Sequence, residues 1–207
     1  MAGTGLNEGA SNRRQATLDR RDVMGQLLAA RGDALIVTGL GSTTYDAGTQ
    51  DHLNTFYLWG AMGAAAMVGL GLALAQPDRR VVVITGDGEM LMGMGSFATI
   101  GAEAPGNFAL VVIDNEHYSE TGMQPTHTQR GVSLSGLAQA CSFTTARTIY
   151  GADELREAIP AIYGAPGPVM FDVKVNTQRY PLSIRLRDGA RIKDRFRENL
   201  LGQQAFD

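Results

Sequence analysis

Four short apolar runs, rich in Val and Ile, constrain the fold of this chain more than any other feature. They lie within residues 33–41, 81–85, 108–114 and 167–175. None alternates between apolar and polar residues, which is typical of strands buried on both faces of a parallel sheet. Helical patterns separate the runs, as in repeated βαβ units. The sequence therefore predicts an α/β fold, a doubly wound parallel sheet with helices on both faces.

The segments between these runs supply the helices. Helices are predicted for residues 18–30, about 60–75, 89–104, 132–143 and 151–164, and a short strand for 144–149. Asp153 is the predicted N-cap of the last helix. Residues 58–75 carry no charge and reach the length of a membrane helix. More than half of them are Gly or Ala, which transfer little hydrophobic free energy, so a tightly packed buried helix is predicted, with Trp59 in the core.

Composition excludes several classes of protein. With 207 residues and 44% hydrophobic content, the chain can build the core of one ordinary domain. A single cysteine, Cys141, excludes a disulfide framework and a four-thiolate metal site. The net charge of −3 gives no general attraction to nucleic acid. We expect a cytoplasmic protein that binds neither nucleic acid nor membrane.

Three regions are predicted along the chain. Residues 1–17 are polar and Gly-rich and lack an apolar signal segment, so we expect a disordered leader. Residues 18–177 form the α/β domain. Residues 178–207 form a basic arm, which is either a solvated amphipathic helix on the domain or a docking arm for an acidic partner or anionic substrate.

A Gly-Asp-Gly turn marks the predicted site. Gly86, Asp87 and Gly88 directly follow the second run, and Asn115 follows the third. The 26 residues between Gly88 and Asn115 have the length of one helix and one strand, which brings both ends to the same edge of the sheet. A diphosphate bound there requires a cation, and magnesium takes one or two protein side-chain oxygens together with phosphate and water. Asp87 and Asn115 can supply these oxygens.

This pattern resembles the signature of the thiamine diphosphate enzymes, and the resemblance covers about residues 18–197. It implies that Asp87, Asn115 and the backbone carbonyl of His117 are ligands of Mg²⁺. It also implies that the diphosphate contacts Gly86 and the segments around Gly88, Glu89, Tyr118, Ser119 and Glu120. A second motif, "GAMG" at residues 60–63, lies where this family bends the cofactor. By that likeness Met62 separates the two rings, and the Gly60 carbonyl accepts a hydrogen bond from the aminopyrimidine.

Within this family, "FYLWGAMG", "GDGEMLMGMGSFATIG" and "GMQPT" are most similar to sulfopyruvate and phosphonopyruvate decarboxylases. The likeness implies decarboxylation of a small 2-oxo acid to CO₂ and an aldehyde. The family activates the cofactor with a glutamate on a separate pyrimidine-binding domain, for which this chain has no room. We therefore expect a partner subunit of the α type that supplies this glutamate. The expected assembly is a hetero-oligomer of α2β2 type in which this chain is the β subunit.

Several further residues are candidates near the substrate. Thr38 and Ser42 follow the first strand, where they can face the diphosphate or the substrate. Glu120 and His127 are candidate acid or base groups, as is His52, although a surface or hydrogen-bonded role is also open for each histidine.

Three alternatives remain open at this stage. A carboligase, similar to acyloin or acetolactate synthases, would use the same cofactor but pass the intermediate to a second carbonyl compound. A non-catalytic module would bind thiamine diphosphate without turnover. A flavodoxin-like nucleotide-binding protein leaves Asn115 and the "GAMG" motif unexplained.

Overall fold

The computed structural model of the chain describes residues 14, 16–183 and 186–206. Most of the predicted leader, residues 1–13 and 15, therefore lies outside the described residues. The strands are β1 (Leu35–Thr38), β2 (Thr55–Tyr57), β3 (Val81–Gly86), β4 (Phe108–Asp114), β5 (His117–Tyr118), β6 (Gln124–Pro125), β7 (Thr145–Ile149) and β8 (Val169–Lys174). The helices are α1 (Arg20–Ala29), α2 (Ser42–Ala47), α3 (Ala65–Ala75), α4 (Asp87–Met92), α5 (Ser96–Glu103), α6 (Leu134–Ala140), α7 (Ala152–Gly164) and α8 (Gly189–Leu201).

Six strands form one parallel sheet in the order β2-β1-β3-β4-β8-β7. The predicted doubly wound parallel sheet is thus confirmed. The short strand β2 was missed because it has only three residues and lies directly before the uncharged residues 58–75. Strands β5 and β6 form a separate antiparallel hairpin beside the carboxyl end of β4.

Two hydrophobic cores explain why the strands are apolar throughout. Successive residues of one strand point to opposite faces of the sheet. Ile36, Val82 and Val111 pack with α1 and α7 in the first core. Leu35, Val83 and Leu110 pack with α3, α5 and α6 in the second. Both faces of the central strands are therefore buried.

The structure corrects the predicted bounds of two helices. The "GAMG" residues form a loop before α3, with positive φ at Ala61 (54°) and Gly63 (91°). The helix predicted for residues 89–104 is instead two helices, α4 and α5, separated at residues 93–95. Both corrections have the same cause, because glycine-rich stretches that look helical by hydrophobicity alone can also turn.

Two predictions about single residues were wrong. Asp153 lies in the first turn of α7 rather than at its N-cap, and Gly151 precedes the helix. The Glu154 carboxylate, at the third position of the helix, accepts the amides of Tyr150 (2.6 Å) and Gly151 (3.3 Å), as the Glu of a capping box does. Trp59 is 37% exposed rather than buried in the core.

The basic arm packs on the edge of the sheet. In α8, Ile192 and Phe196 are buried, and the centroid of the Phe196 ring lies 5.5 Å from that of Phe56 in β2. Arg195 donates to both carboxylate oxygens of Asp51 at 2.9 and 3.0 Å. The apolar face of α8 thus covers strand β2. No helix within the described ranges is both long and apolar enough to span a bilayer.

Candidate cofactor site

A cavity of about 140 Å³ opens at the carboxyl ends of β1, β3 and β4. This is the edge at which parallel sheets bind ligands. Most of the predicted site residues line it: Ser42, Met62, Gly86, Asp87, Gly88, Glu89, Asn115, His117, Tyr118, Ser119 and Glu120. Residues 62, 86–89 and 115–120 are far apart in the sequence, and the sheet brings them together.

The turn from β3 into α4 places Asp87 at the start of the helix. Gly86 is extended (φ −93°, ψ 161°), and the helix begins at the next residue. Gly88 is required by a close approach, since a Cβ there would lie 2.5 Å from the Tyr118 ring. The ring of Tyr118 therefore packs directly against the backbone of the Gly-Asp-Gly turn.

Asp87 is buried, with 2% of its surface exposed. Its Oδ2 accepts a hydrogen bond of 2.6 Å from the hydroxyl of Thr126. Burial and the neighbouring carboxylate of Asp114 raise the pKa of Asp87 to about 7. This part of the cavity is therefore rich in acidic groups and electrostatically suited to a cation.

The loop after β4 presents oxygen atoms to the same cavity. Asn115 Oδ1 accepts the amide of His117 at 3.0 Å, and Asp114 Oδ1 accepts the amide of Glu116 at 2.9 Å. In the hairpin, the amides of Thr126 and Met123 donate to the carbonyls of Glu116 and Tyr118, which flank His117. The described residues contain no cluster of three or more His, Cys, Asp or Glu side chains suited to a metal. A cation here would accordingly need the amide and carbonyl oxygens of this loop in addition to Asp87.

The Glu89 side chain connects the ends of strands β1 and β3 beside the cavity. Its Oε2 accepts the amide of Leu40 (2.7 Å) after β1 and the hydroxyl of Thr85 (2.8 Å) in β3. Burial raises the pKa of Glu89 despite these hydrogen bonds. Sequence reasoning assigned only the backbone of Glu89 to the site, whereas its carboxylate links the ends of two strands.

Met62 reaches the cavity because the "GAMG" residues are a loop and not a helix. The loop packs on the break between α4 and α5, where a Cβ at Gly93 would lie 2.2 Å from the Gly63 carbonyl oxygen. Gly60 lies in the exposed part of the loop and is not among the residues that line the cavity. The structure therefore brings Met62, but not Gly60, to the wall.

Thr38 does not face the cavity, contrary to prediction. It is fully buried, and its hydroxyl lies 2.6 Å from that of Thr44 beneath the loop after β1. Ser42 does line the cavity. In α2, the hydroxyls of Thr43 and Thr44 both donate to the Gly39 carbonyl, and Thr43 also lines the cavity.

The candidate acid and base groups separate into three places. His52 precedes β2 and therefore lies at the amino ends of the parallel strands, whereas the cavity lies at their carboxyl ends. Its Nδ1 accepts the Asn54 amide (3.1 Å) there, so the structure excludes His52 from the cavity. His127 is exposed and lines a shallow apolar depression that shares Met62 and Tyr118 with the cavity. Glu120 lines the cavity itself, opposite Gly41.

Sequence reasoning missed four polar residues at or beneath the site. Arg20, which is 7% exposed, lines the cavity and forms an ion pair with buried Asp46. Thr126 and Thr128 lie beneath Asp87, and Lys174 lies beneath Asp114. Two features of the sequence could have indicated these residues. Lys174 lies near the end of an apolar run, and Thr126 and Thr128 flank the candidate residue His127.

The comparisons with known proteins agree with this geometry. The family model described as "Thiamine pyrophosphate enzyme, C-terminal TPP binding domain" matches residues 38–173. The match covers more than half of the chain, and the chain therefore belongs to this family of thiamine diphosphate-binding domains.

Two curated relatives of the chain are decarboxylases. The sulfopyruvate decarboxylase subunit beta of Methanothermobacter thermautotrophicus is 33% identical over 186 residues, which cover 89% of this chain and 97% of that protein. Phosphonopyruvate decarboxylase of Streptomyces viridochromogenes is 40% identical over 144 residues, or 69% of this chain. The matched part spans only 36% of that longer decarboxylase.

A solved structure shares the fold. The thiamine diphosphate-dependent 4-hydroxybenzoylformate decarboxylase of Rhodococcus jostii RHA1 superposes with a TM-score of 0.68 and 19% identity, covering 87% of this chain and 36% of that one. At this level of identity the match supports the fold alone.

Proposed function

We propose that this chain is the thiamine diphosphate- and Mg²⁺-binding subunit of a two-chain decarboxylase of small 2-oxo acids. The observation that carries the proposal is the convergence of Asp87 and Asn115, from two adjacent strand ends, on one cavity whose wall includes Met62. The subunit and enzyme names of the relatives support the same reaction, with sulfopyruvate or phosphonopyruvate as the model substrates.

The residues present fit a metal-bound diphosphate. Asp87, the Asn115 amide oxygen and the His117 carbonyl would hold the cation, which is the all-oxygen ligand set that Mg²⁺ prefers. The backbone amides of Gly88 and Glu89, at the start of α4, would face the phosphate oxygens. When bound, the cofactor supplies an electron sink for the carbanion left by departing CO₂.

The remaining side chains would orient the cofactor rings and transfer a proton to the substrate. Met62 would support the rings from one side, for which a flexible thioether is suited. Glu120 is the candidate for proton transfer at the substrate, because its carboxylate lines the cavity. His127 is the second candidate, in the adjoining depression.

The activating glutamate is assigned to a partner subunit. Of the two glutamates that line the cavity, Glu89 is committed to Leu40 and Thr85. Beside the cavity, Met92, Met94 and Val132 expose an apolar rim around the depression. An exposed apolar patch of this kind is typical of a protein interface. A second chain seated there would reach the cofactor rings at Met62.

The metal role predicts a clear result for Asp87→Asn in the reconstituted two-chain complex. The change keeps the shape but removes the charge that holds the cation, so Mg²⁺-dependent binding of thiamine diphosphate should weaken by more than about 100-fold, beyond the loss typical of an outer-shell partner. Titration calorimetry measures the affinity, and release of CO₂ from sulfopyruvate or phosphonopyruvate measures turnover.

Asp153→Asn is the matched control, because Asp153 is exposed on α7. Unchanged cofactor affinity in Asp87→Asn would contradict the metal role. Turnover of 2-oxo acids by this chain alone would contradict the need for a partner.

A carboligase would share all of these residues. Product analysis with and without an acceptor aldehyde distinguishes the two outcomes, because only a carboligase yields an acyloin. Cofactor binding without any turnover in the complete complex would instead favour a non-catalytic module.

A further inference from the structure

We propose that Thr128, acting together with Thr126, is a positioning residue that orients Asp87 towards the cation. This inference rests on the proposed function, since it assumes that Asp87 holds the metal. It concerns residues that do not touch the cavity and whose role the family match leaves unassigned.

The hydroxyls form a short chain beneath the site. Thr126 Oγ1 lies 2.6 Å from Oδ2 of Asp87 and 2.9 Å from Oγ1 of Thr128. Thr128 Oγ1 lies 2.9 Å from Oδ1 of Asp114 and 3.4 Å from Oδ2 of Asp87. Both threonines are buried, with 1% and 4% of their surfaces exposed. Two strand ends are thus joined through two hydroxyls that have no access to solvent.

The chain of contacts continues to a buried lysine. Lys174 Nζ, at the end of β8, donates to Oδ2 of Asp114 (2.6 Å) and to Oε1 of Glu116 (3.0 Å). Asp114 Oδ1 also accepts the Glu116 amide, which shapes the turn that carries Asn115. The carboxylate of Asp114 therefore connects the loop of one proposed ligand with the hydroxyls that contact the other.

The hydrogen bond from Thr126 distinguishes the two oxygens of Asp87. The Thr126 hydroxyl donates to Oδ2, and the proposal assigns the other oxygen, Oδ1, to the cation. Thr128 contacts both Thr126 and Asp114, which holds the angle of the Asp87 carboxylate relative to the Asn115 loop. Hydrogen-bond partners of metal ligands orient them in this way, and their loss typically lowers metal affinity about 10–100-fold.

The test is Mn²⁺ binding by the reconstituted complex in the presence of thiamine diphosphate, measured as free Mn²⁺ by electron paramagnetic resonance. Thr128→Val keeps the shape and removes the hydroxyl, so Mn²⁺ affinity should fall about 10–100-fold. Thr128→Ser restores the hydroxyl and should bring the affinity back to near the wild-type value. Thr144→Val is the matched control, because the Thr144 hydroxyl bonds to the Pro166 and Pro168 carbonyls away from the site.

Wild-type Mn²⁺ affinity in Thr128→Val would overturn the inference, and so would an equal loss in Thr128→Ser. Should Thr128→Val fail to fold, Thr126→Val decides in its place, since Thr126 makes the shorter bond to Asp87, and wild-type affinity there would also overturn it. The Asp87→Asn variant distinguishes failure of this inference from failure of the proposed metal site. If Asp87→Asn abolishes Mn²⁺ binding but the threonine variants keep wild-type Mn²⁺ affinity, this inference alone fails. If Asp87→Asn also leaves binding unchanged, the proposed metal site fails with it.

Discussion

At the scale of single residues, the buried ion pair of Arg20 and Asp46 shows how charge is balanced beside the cavity. Arg20 and Arg21 both contact the Asp46 carboxylate, which is 2% exposed. Burial nevertheless raises the pKa of Asp46, so desolvation outweighs the attraction of the two guanidinium groups. The pair is thus better understood as holding Arg20 in place than as a source of net stability.

Removing one member of this pair should be costly. Asp46→Asn leaves the buried Arg20 guanidinium without its counter-charge, and we expect a loss of about 3–5 kcal/mol in the free energy of unfolding. Asp153→Asn, which breaks the exposed pair with Arg156, should cost about 0–1 kcal/mol. Chemical denaturation of both variants measures the difference, and equal losses would contradict the account.

At the scale of elements, the break between α4 and α5 positions the loop that carries Met62. Gly93 ends α4 and meets the Gly63 backbone so closely that no side chain fits between them. Two glycines from different motifs therefore form a single backbone contact. The break in the helix and the turn at "GAMG" depend on each other.

The pair of variants Gly93→Ala and Gly95→Ala tests this contact. A Cβ at Gly93 would overlap the Gly63 carbonyl, so Gly93→Ala should destabilise the chain by about 1–3 kcal/mol and weaken cofactor binding by shifting Met62. Gly95 has φ −59° and open space around its Cβ position, so Gly95→Ala should be neutral or stabilise by up to about 1 kcal/mol. Thermal unfolding of the two variants, side by side, decides whether the contact matters.

At the scale of the whole molecule, the edge of the sheet at β2 and the depression beside the cavity differ in what they leave exposed. The arm with α8 covers the edge at β2, whereas the depression beside the cavity exposes methionines. Met92 is 69% exposed, and Met94 is 45% exposed. The proposed partner would cover these side chains and complete the site in the same step.

A charged residue in this apolar rim should weaken association with the partner without changing the stability of the fold. Met92→Glu places a carboxylate in the proposed interface, so association with the α-type subunit should weaken about tenfold or more, as for a hot-spot residue. The thermal stability of the isolated chain should not change, since Met92 is exposed there. Leu53→Glu, at another exposed apolar residue, before β2, is the control. Wild-type association of Met92→Glu, measured by analytical ultracentrifugation, would exclude the rim from the interface.

Much of the fold could be predicted from the sequence because buried parallel strands carry a strong local signal. The runs at residues 81–85 and 108–114 need Val and Ile on both faces, and the spacing of Asp87 and Asn115 follows from one helix and one strand. Strand β2, the break at Gly93 and the N-cap at Gly151 were missed, because glycine-rich turns and very short strands leave little periodic pattern.

The sequence by itself determined the parallel sheet and the edge on which Asp87 and Asn115 meet, because strand burial and motif spacing are local properties. Met62 was assigned to this site by the family resemblance alone, and it lines the cavity because the "GAMG" residues form a loop. Only the tertiary structure decided which groups contact these residues. Thr126 and Thr128 reach Asp87 across about 40 positions, and Lys174 reaches Asp114 across 60. Contacts between segments so distant in the chain depend on strand order and register, which no local pattern encodes. For the same reason Thr38, at the end of β1, and Gly60, within the "GAMG" motif, lie outside the cavity wall.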